Sequence, residues 1–294
     1  MRRPLFSLLR SFSRRLGGRG LSRLPFATTL YQFFYDRARP RGIVTAQAQG
    51  FRFLVNAADT ALAPHLLTRG VYASDETALL PRLLAPGMTF VDVGASIGYF
   101  TAIASRAVGA RGRVLAFEPD EENFSLLQQN IAQNGLSNAT AVKKALADRS
   151  GTAQFFLNDK NLCSHTLVPR AGDRVVSVET ETLDEYFRGA PADVIKLDVE
   201  GAEPRALSGM RETIIRSPRV ALLTEFFPEA LRRGGFDPKR YLDDLRRLGF
   251  TLYRVEGGAP EKLSDEDTTA LAEGAGVRKL TYLLCLKGRG IDAS

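Results

Sequence analysis

The stretch Phe90-Val91-Asp92-Val93-Gly94-Ala95-Ser96-Ile97-Gly98-Tyr99-Phe100 constrains this chain more than any other. It reads as a buried strand over Phe90 to Val93, a glycine-bearing turn, and a helix through Thr101 to Val108. A second strand, Arg113 to Phe117, ends in Glu118-Pro119. Glycines without a Cβ let a backbone come close to a bound small molecule. An acidic residue closing the next strand is placed to accept hydrogen bonds from a ribose diol. The pattern is that of a nucleoside-cofactor pocket.

Spacing then separates the cofactors. A dinucleotide turn wants G-x-G-x-x-G so that pyrophosphate can sit on the helix N-terminus. Here the pattern is Asp92-x-Gly94-x-x-x-Gly98, with Ser96 where the middle glycine would fall. A carboxylate beside the turn repels phosphate and attracts a cation. S-adenosylmethionine carries an ammonium and a sulfonium and no phosphate, so it is the better match. A nicotinamide-dependent oxidoreductase is the rival reading. A binding module that keeps the fold without catalysis is another.

Downstream of Phe90 the chain alternates regularly. Asp120 caps a helix carrying Phe124, Leu127 and Ile131 inward, which stops at Asn134-Gly135. A strand over Ala139 to Val142 continues toward Ala145-Leu146, and Thr152 to Val178 reads as an antiparallel insert. Then come strand Val194 to Leu197, helix Pro204 to Ile215, strand Val220 to Thr224, helix Pro238 to Leu248, strand Thr251 to Val255 and strand Lys279 to Leu286. Such alternation implies a doubly wound α/β fold with a mainly parallel sheet covered on both faces. Upstream, residues 26–87 read as an α/β preamble, with a hairpin-like strand at Gln49 to Val55. A helix over Asp75 to Leu84 has Ser74 as its N-cap. The expected division is a leader at 1–25, the preamble at 26–87, the cofactor domain at 88–288 and a tail at 289–294.

Ile195-Lys196-Leu197-Asp198-Val199-Glu200-Gly201-Ala202-Glu203 supplies a second cluster. Ligands of open α/β sheets bind beyond the carboxyl ends of the strands. Asp92, Glu118, Asp198 and Glu225 all take such positions, and four carboxylates on one rim beside a glycine turn favour a site. Glu203 is the weakest member, because at a helix start it complements the helix dipole.

Together, Asp92-Val-Gly-Ala-Ser-Ile-Gly-Tyr-Phe100, Ala116-Phe117-Glu118-Pro119 with Asn123 and Asn130, Thr182-Leu183-Asp184 and Ile195 to Glu203 resemble the FkbM family of methyltransferases. The likeness spans about residues 70–255. It implies a class I, Rossmann-like S-adenosylmethionine-dependent fold: a seven-stranded sheet whose last strand runs antiparallel. It also implies O-methylation of a hydroxyl on a sugar, glycan or natural product. Carried over by position, Asp92, Gly94, Ser96 and Gly98 would hold the methionine portion and Glu118 the ribose, with Asp198 beside cofactor and acceptor. Ser96 departs from the family, in which asparagine is more usual. An alcohol needs a group to take its proton, and the candidates are His165, Asp198, Glu200 and Glu225. His65 is read as structural. A metal-assisted site would want a paired Asp-Asn on the fifth strand, which is missing, so no metal is expected.

The net charge of +7 resides in the leader, where residues 1–23 hold seven arginines and no acid. The remainder is formally neutral, which argues against a nucleic-acid-binding face. Peripheral membrane contact, a cleaved targeting leader and a solvated basic tail compete for this segment. No apolar run approaches the ~20 residues of a membrane span, and a cytoplasmic, membrane-peripheral location is expected. Cys163 and Cys285 lie far apart in unlike contexts and suggest neither a disulfide framework nor a zinc site.

Overall fold

The computed structural model describes residues 40–257, 259–274 and 280–292. The basic leader and its proposed membrane contact lie outside the described residues. The described chain divides into two compact units. The smaller one holds residues 40–72 together with 160–163. Its strands β1 (Ile43–Ala48) and β2 (Phe51–Asn56) pair antiparallel through Gln49-Gly50. Both turn residues have positive φ, as a two-residue hairpin of matching twist requires. Helix α1 (Leu62–Thr68) starts where Asp59 Oδ2 accepts the N–H groups of Leu62 and Ala63. The His65 ring lies edge-on to Tyr72, and burial lowers its pKa.

The larger unit carries, in chain order, α2 (Ser74–Leu83), β3 (Thr89–Val93), α3 (Tyr99–Val108), β4 (Arg113–Phe117), α4 (Glu121–Gln133), β5 (Ala139–Val142), β6 (Ala145–Leu146), β7 (Gly151–Leu157), β8 (Arg174–Glu181) and α5 (Leu183–Phe187). There follow β9 (Val194–Leu197), α6 (Glu203–Ser208), α7 (Arg211–Arg216), β10 (Val220–Phe226), α8 (Pro228–Arg233), α9 (Pro238–Arg247), β11 (Thr251–Glu256), β12 (Ala259–Lys262), α10 (Asp265–Glu273) and β13 (Thr281–Lys287). The main sheet has the order β12-β11-β13-β10-β9-β3-β4-β5. From β5 to β10 neighbours run parallel, and β13 inserts antiparallel between β10 and β11. This is the doubly wound sheet with an antiparallel last strand. Edge strand β12 makes eight where seven were expected. Every residue of β9 and β10 is buried, the signature of strands covered on both faces. Strand order reverses between β3 and β9, so the carboxyl ends of β3, β4, β9 and β10 converge on one rim.

Several boundaries differ from the sequence reading. The segment 139–146 is not one strand: β5 ends on the main sheet, while β6 joins β8 and β7 in a separate three-stranded sheet. Ser74 is already helical, and Ala73, at φ 43°, occupies the N-cap without a side-chain bond. The helix expected over Pro204 to Ile215 breaks in two around Gly209 and Met210. Gly209 packs so tightly that an added Cβ would lie 1.9 Å from the Ala147 carbonyl oxygen. The second piece gains its own start from outside, since Asp184 accepts from Glu212 N, Thr213 N and Thr213 Oγ1 at 2.7–3.1 Å. The Thr182-Leu183-Asp184 motif is thereby a capping device. No helix among the described residues is long and apolar enough to cross a membrane.

Candidate active site

The turn between β3 and α3 is held by the end of β4. Gly94 N and Ala95 N both donate to the Phe117 carbonyl at 3.1 and 3.0 Å. Ser96 N donates to Glu118 Oε2 at 2.9 Å, and Asp120 N to Glu118 Oε1 at 2.9 Å. Glu118 therefore pins two loops at once. Each of its oxygens accepts one backbone N–H. Burial pushes its carboxyl up to about 8, against the pull of those backbone N–H groups.

Gly94 and Gly98 take φ of 83° and 88°, and Ser96 takes 50°. The missing Cβ atoms leave room for protein rather than for a ligand. At Gly94 a Cβ would lie 2.0 Å from the Asp198 carbonyl oxygen, and at Gly98 2.6 Å from Leu127 Cδ1. The first glycine thus lets the turn after β3 touch the loop after β9. Ser96 sits in the left-handed region that asparagine tolerates better than most residues, which gives the family's usual residue a backbone reason.

Asp92 is 1% exposed. Its Oδ2 accepts from Thr101 Oγ1 at 2.6 Å, while its buried Oδ1 has no hydrogen-bond partner among the described residues. Burial raises its pKa and Lys196 opposes the rise. An unpartnered buried carboxylate oxygen beside the turn suits a cationic group such as the ammonium of a methionine moiety.

Lys196, directly across the β3–β9 register from Asp92, is the residue that sequence reasoning missed. Its side chain is 3% exposed, its Nζ lies 2.7 Å from Asp198 Oδ2, and it stands 4.7 Å from the centre of the Phe100 ring. Tyr282 OH donates to the same Oδ2 at 2.9 Å. Asp198 Oδ1 accepts no hydrogen bond among the described residues. Glu225 lies inside β10, opposite Tyr282, with its buried Oε2 unpartnered among the described residues. Burial first, then Asp198, Glu200 and Glu203, push its carboxyl well above the usual range. Glu76, in the first turn of α2, is raised by burial and faces the same pair of charges, Lys196 and Asp198.

The other candidates separate. Glu200 has φ 58° and its Oε2 lies 3.2 Å from Arg170 Nη2. Burial and then Asp198 push it up to about 7, and Arg170 opposes them. Glu203 accepts from Val199 N and Gly201 N, so it shapes the loop rather than facing a ligand. His165 is engaged within the insert, which weighs against it as a base. Its Nδ1 accepts the N–H of Asn158 at 3.0 Å and its ring lies edge-on to Phe155. The neutral ring then carries its proton on Nε2, and the lone pair that could take another is already engaged. Activity of a folded His165→Ala protein is expected within about threefold of wild type, the scatter of an independent site; a hundredfold loss would restore the histidine to the chemistry.

A family model described as the methyltransferase FkbM domain matches residues 92–252, which run from Asp92 through the whole rim. Methyltransferase sdnD of Sordaria araneosa is 27% identical over 176 residues, covering 48% of this chain and 68% of that protein. The tRNA (adenine(58)-N(1))-methyltransferase catalytic subunit of Yarrowia lipolytica is 34% identical over 94 residues, 31% of this chain and 24% of that one. Among solved structures, methyltransferase FkbM from Methylobacillus flagellatus is 18% identical at a TM-score of 0.43, covering 68% of this chain and 43% of its own. S-adenosylmethionine is accordingly the expected methyl donor, and the carboxylate-rich rim with its glycine turn fits a cation without phosphate. Its motifs, sheet order and rim place the chain in the FkbM family of methyltransferases.

Proposed function

We propose that the chain methylates a hydroxyl oxygen of a sugar, glycan or natural-product acceptor, with Asp198 taking the hydroxyl proton. The observation that carries this reading is the state of one carboxylate. Asp198 Oδ2 is fixed by Lys196 and Tyr282, while Oδ1 accepts no hydrogen bond among the described residues. A base held this way is oriented before the acceptor arrives, so little reorganisation remains for the reaction. S-adenosylmethionine, when bound, supplies an electrophilic sulfonium methyl. The acceptor oxygen would bond to the methyl as the methyl–sulfur bond breaks and S-adenosylhomocysteine leaves, and its proton would pass to Asp198 Oδ1. Asp92, Gly94, Ser96 and Gly98 would hold the methionine portion and Glu118 the ribose, leaving Asp198 and Glu225 toward the acceptor. The test is release of S-adenosylhomocysteine with a panel of hydroxyl and amine acceptors. Turnover confined to hydroxyls supports the reading, and turnover confined to amines overturns it.

Glu118 offers a separate check on the donor half. Glu118→Ala is expected to weaken S-adenosylhomocysteine by about 1–3 kcal/mol, the scale of two hydrogen bonds to the ribose hydroxyls. Unchanged calorimetric affinity in the folded variant removes Glu118 from the donor site. The same residue predicts a stability slope. Its folded carboxyl, at about 8, lies above the ~4.3 of an unfolded glutamate. The folded state then binds the proton more tightly. This contribution is complete below pH ~4.3 and is lost as pH rises through the folded value. Glu118→Gln should flatten denaturation midpoints over that window.

A further inference from the structure

We infer that Lys196 is a positioning residue for methyl transfer, acting through Asp198 by fixing its carboxylate and balancing the buried acids around it. The inference rests on the proton-acceptor reading of Asp198 and extends it to a residue that does not itself meet either substrate.

A lysine on a strand buried on both faces is costly unless paired. Lys196 has its partner in Asp198 Oδ2 at 2.7 Å, and the face of Phe100 at 4.7 Å provides a second favourable contact. Acids surround it from every packed element that carries one. Asp92 faces it from β3, Glu76 from α2 and Glu225 from β10, and Asp198 follows just past the end of its own strand. Tyr282, from β13, reaches the same carboxylate oxygen that Lys196 holds. Two donors on Oδ2 hold the carboxyl group in place through one of its oxygens. An ammonium in this place thus sets both the orientation of the base and the charge of its surroundings. Burial lowers the lysine's proton affinity, but the facing carboxylates win and raise it, so the ammonium stays charged.

A double-mutant cycle decides the matter. With the acceptor found by the panel above, Lys196→Met should lower kcat about a hundredfold, on the scale of a misplaced general base. The KM for S-adenosylmethionine should change little. Lys196→Arg, which keeps the charge, should recover at least about a tenth of the lost rate. The Lys196→Met/Asp198→Asn protein should be within about threefold of Asp198→Asn alone, because both changes disable one unit. Multiplying losses in the double variant overturn the inference, as does a folded Lys196→Met protein with wild-type kcat beside a crippled Asp198→Asn. Full activity of Asp198→Asn would instead sink the proton-acceptor reading itself. A second arm needs no acceptor. Without the lysine, Asp92 and Glu225 hold their protons to higher pH. Calorimetric affinity for S-adenosylhomocysteine should therefore fall earlier on acidification in Lys196→Met than in wild type. Coincident pH profiles overturn the inference. If Lys196→Met does not fold, Lys196→Gln is measured in its place with the same outcomes.

Discussion

Replacing Asp198 by Asn is expected to cut kcat about 10²–10⁴-fold, the usual contribution of a positioned general base. Affinity for S-adenosylhomocysteine should stay near the wild-type value. Asparagine keeps the shape and can still accept from Lys196 and Tyr282 through its single carbonyl oxygen, but it cannot take a proton at neutral pH. Loss in kcat with preserved binding marks an interaction made in the transition state. Equal losses in both would move Asp198 to the donor half of the site. Glu225 supplies a graded comparison. Burial and its acidic neighbours favour the protonated form of its carboxyl, and Glu225→Gln keeps its size and shape. Its loss should also fall on turnover and be smaller than that of Asp198→Asn.

The second large effect belongs to Gly94. An alanine there places its Cβ 2.0 Å from the Asp198 carbonyl oxygen, which is backbone and cannot swing aside. It also imposes a side chain on a φ of 83°. The turn after β3 and the loop after β9 must separate, and the 3.1 Å bond from Asp198 N to the Val93 carbonyl goes with them. Steric overlap and backbone strain together should cost about 4 kcal/mol or more. Urea denaturation reads this as a lowered midpoint, with cofactor binding lost in step. Gly98→Ala is the internal comparison. Its Cβ meets only the tip of Leu127, which can rotate, so the cost should be smaller. Equal midpoints for the two variants would contradict the close approach of the two loops.

The same two glycines show how far sequence reasoning reached. Strand, turn and helix around Asp92 were legible because apolar run, glycine spacing and strand-end acid all lie within one short segment. What the glycines make room for was not legible, because Asp198 is far along the chain and meets Gly94 only through the parallel β3–β9 pairing. Tyr282 is subject to the same limit. It reaches Asp198 across 84 residues of sequence, and only the antiparallel insertion of β13 beside β10 brings it there. Lys196 did leave a signal. A lysine within a strand otherwise built of Val, Ile and Leu breaks the pattern of a doubly covered strand, and such a residue asks for a buried partner. The left-handed Ala73 before α2 left none, since alanine has no preference for that conformation. The engagement of His165 was not legible either: its titration range drew attention, while the Asn158 N–H that occupies its lone pair is fixed only by the fold of the insert.

On the proposed reading one rim, built from the carboxyl ends of β3, β4, β9 and β10, is divided into a donor half and an acceptor half. A crystal structure of the protein with S-adenosylhomocysteine tests it most directly. The expected complex has the ribose hydroxyls on Glu118, the amino-acid end by Asp92 and the Gly94 turn, and Asp198 Oδ1 still free to accept a proton. A ligand bound away from Glu118, or one whose ammonium occupies Asp198 Oδ1, would contradict it.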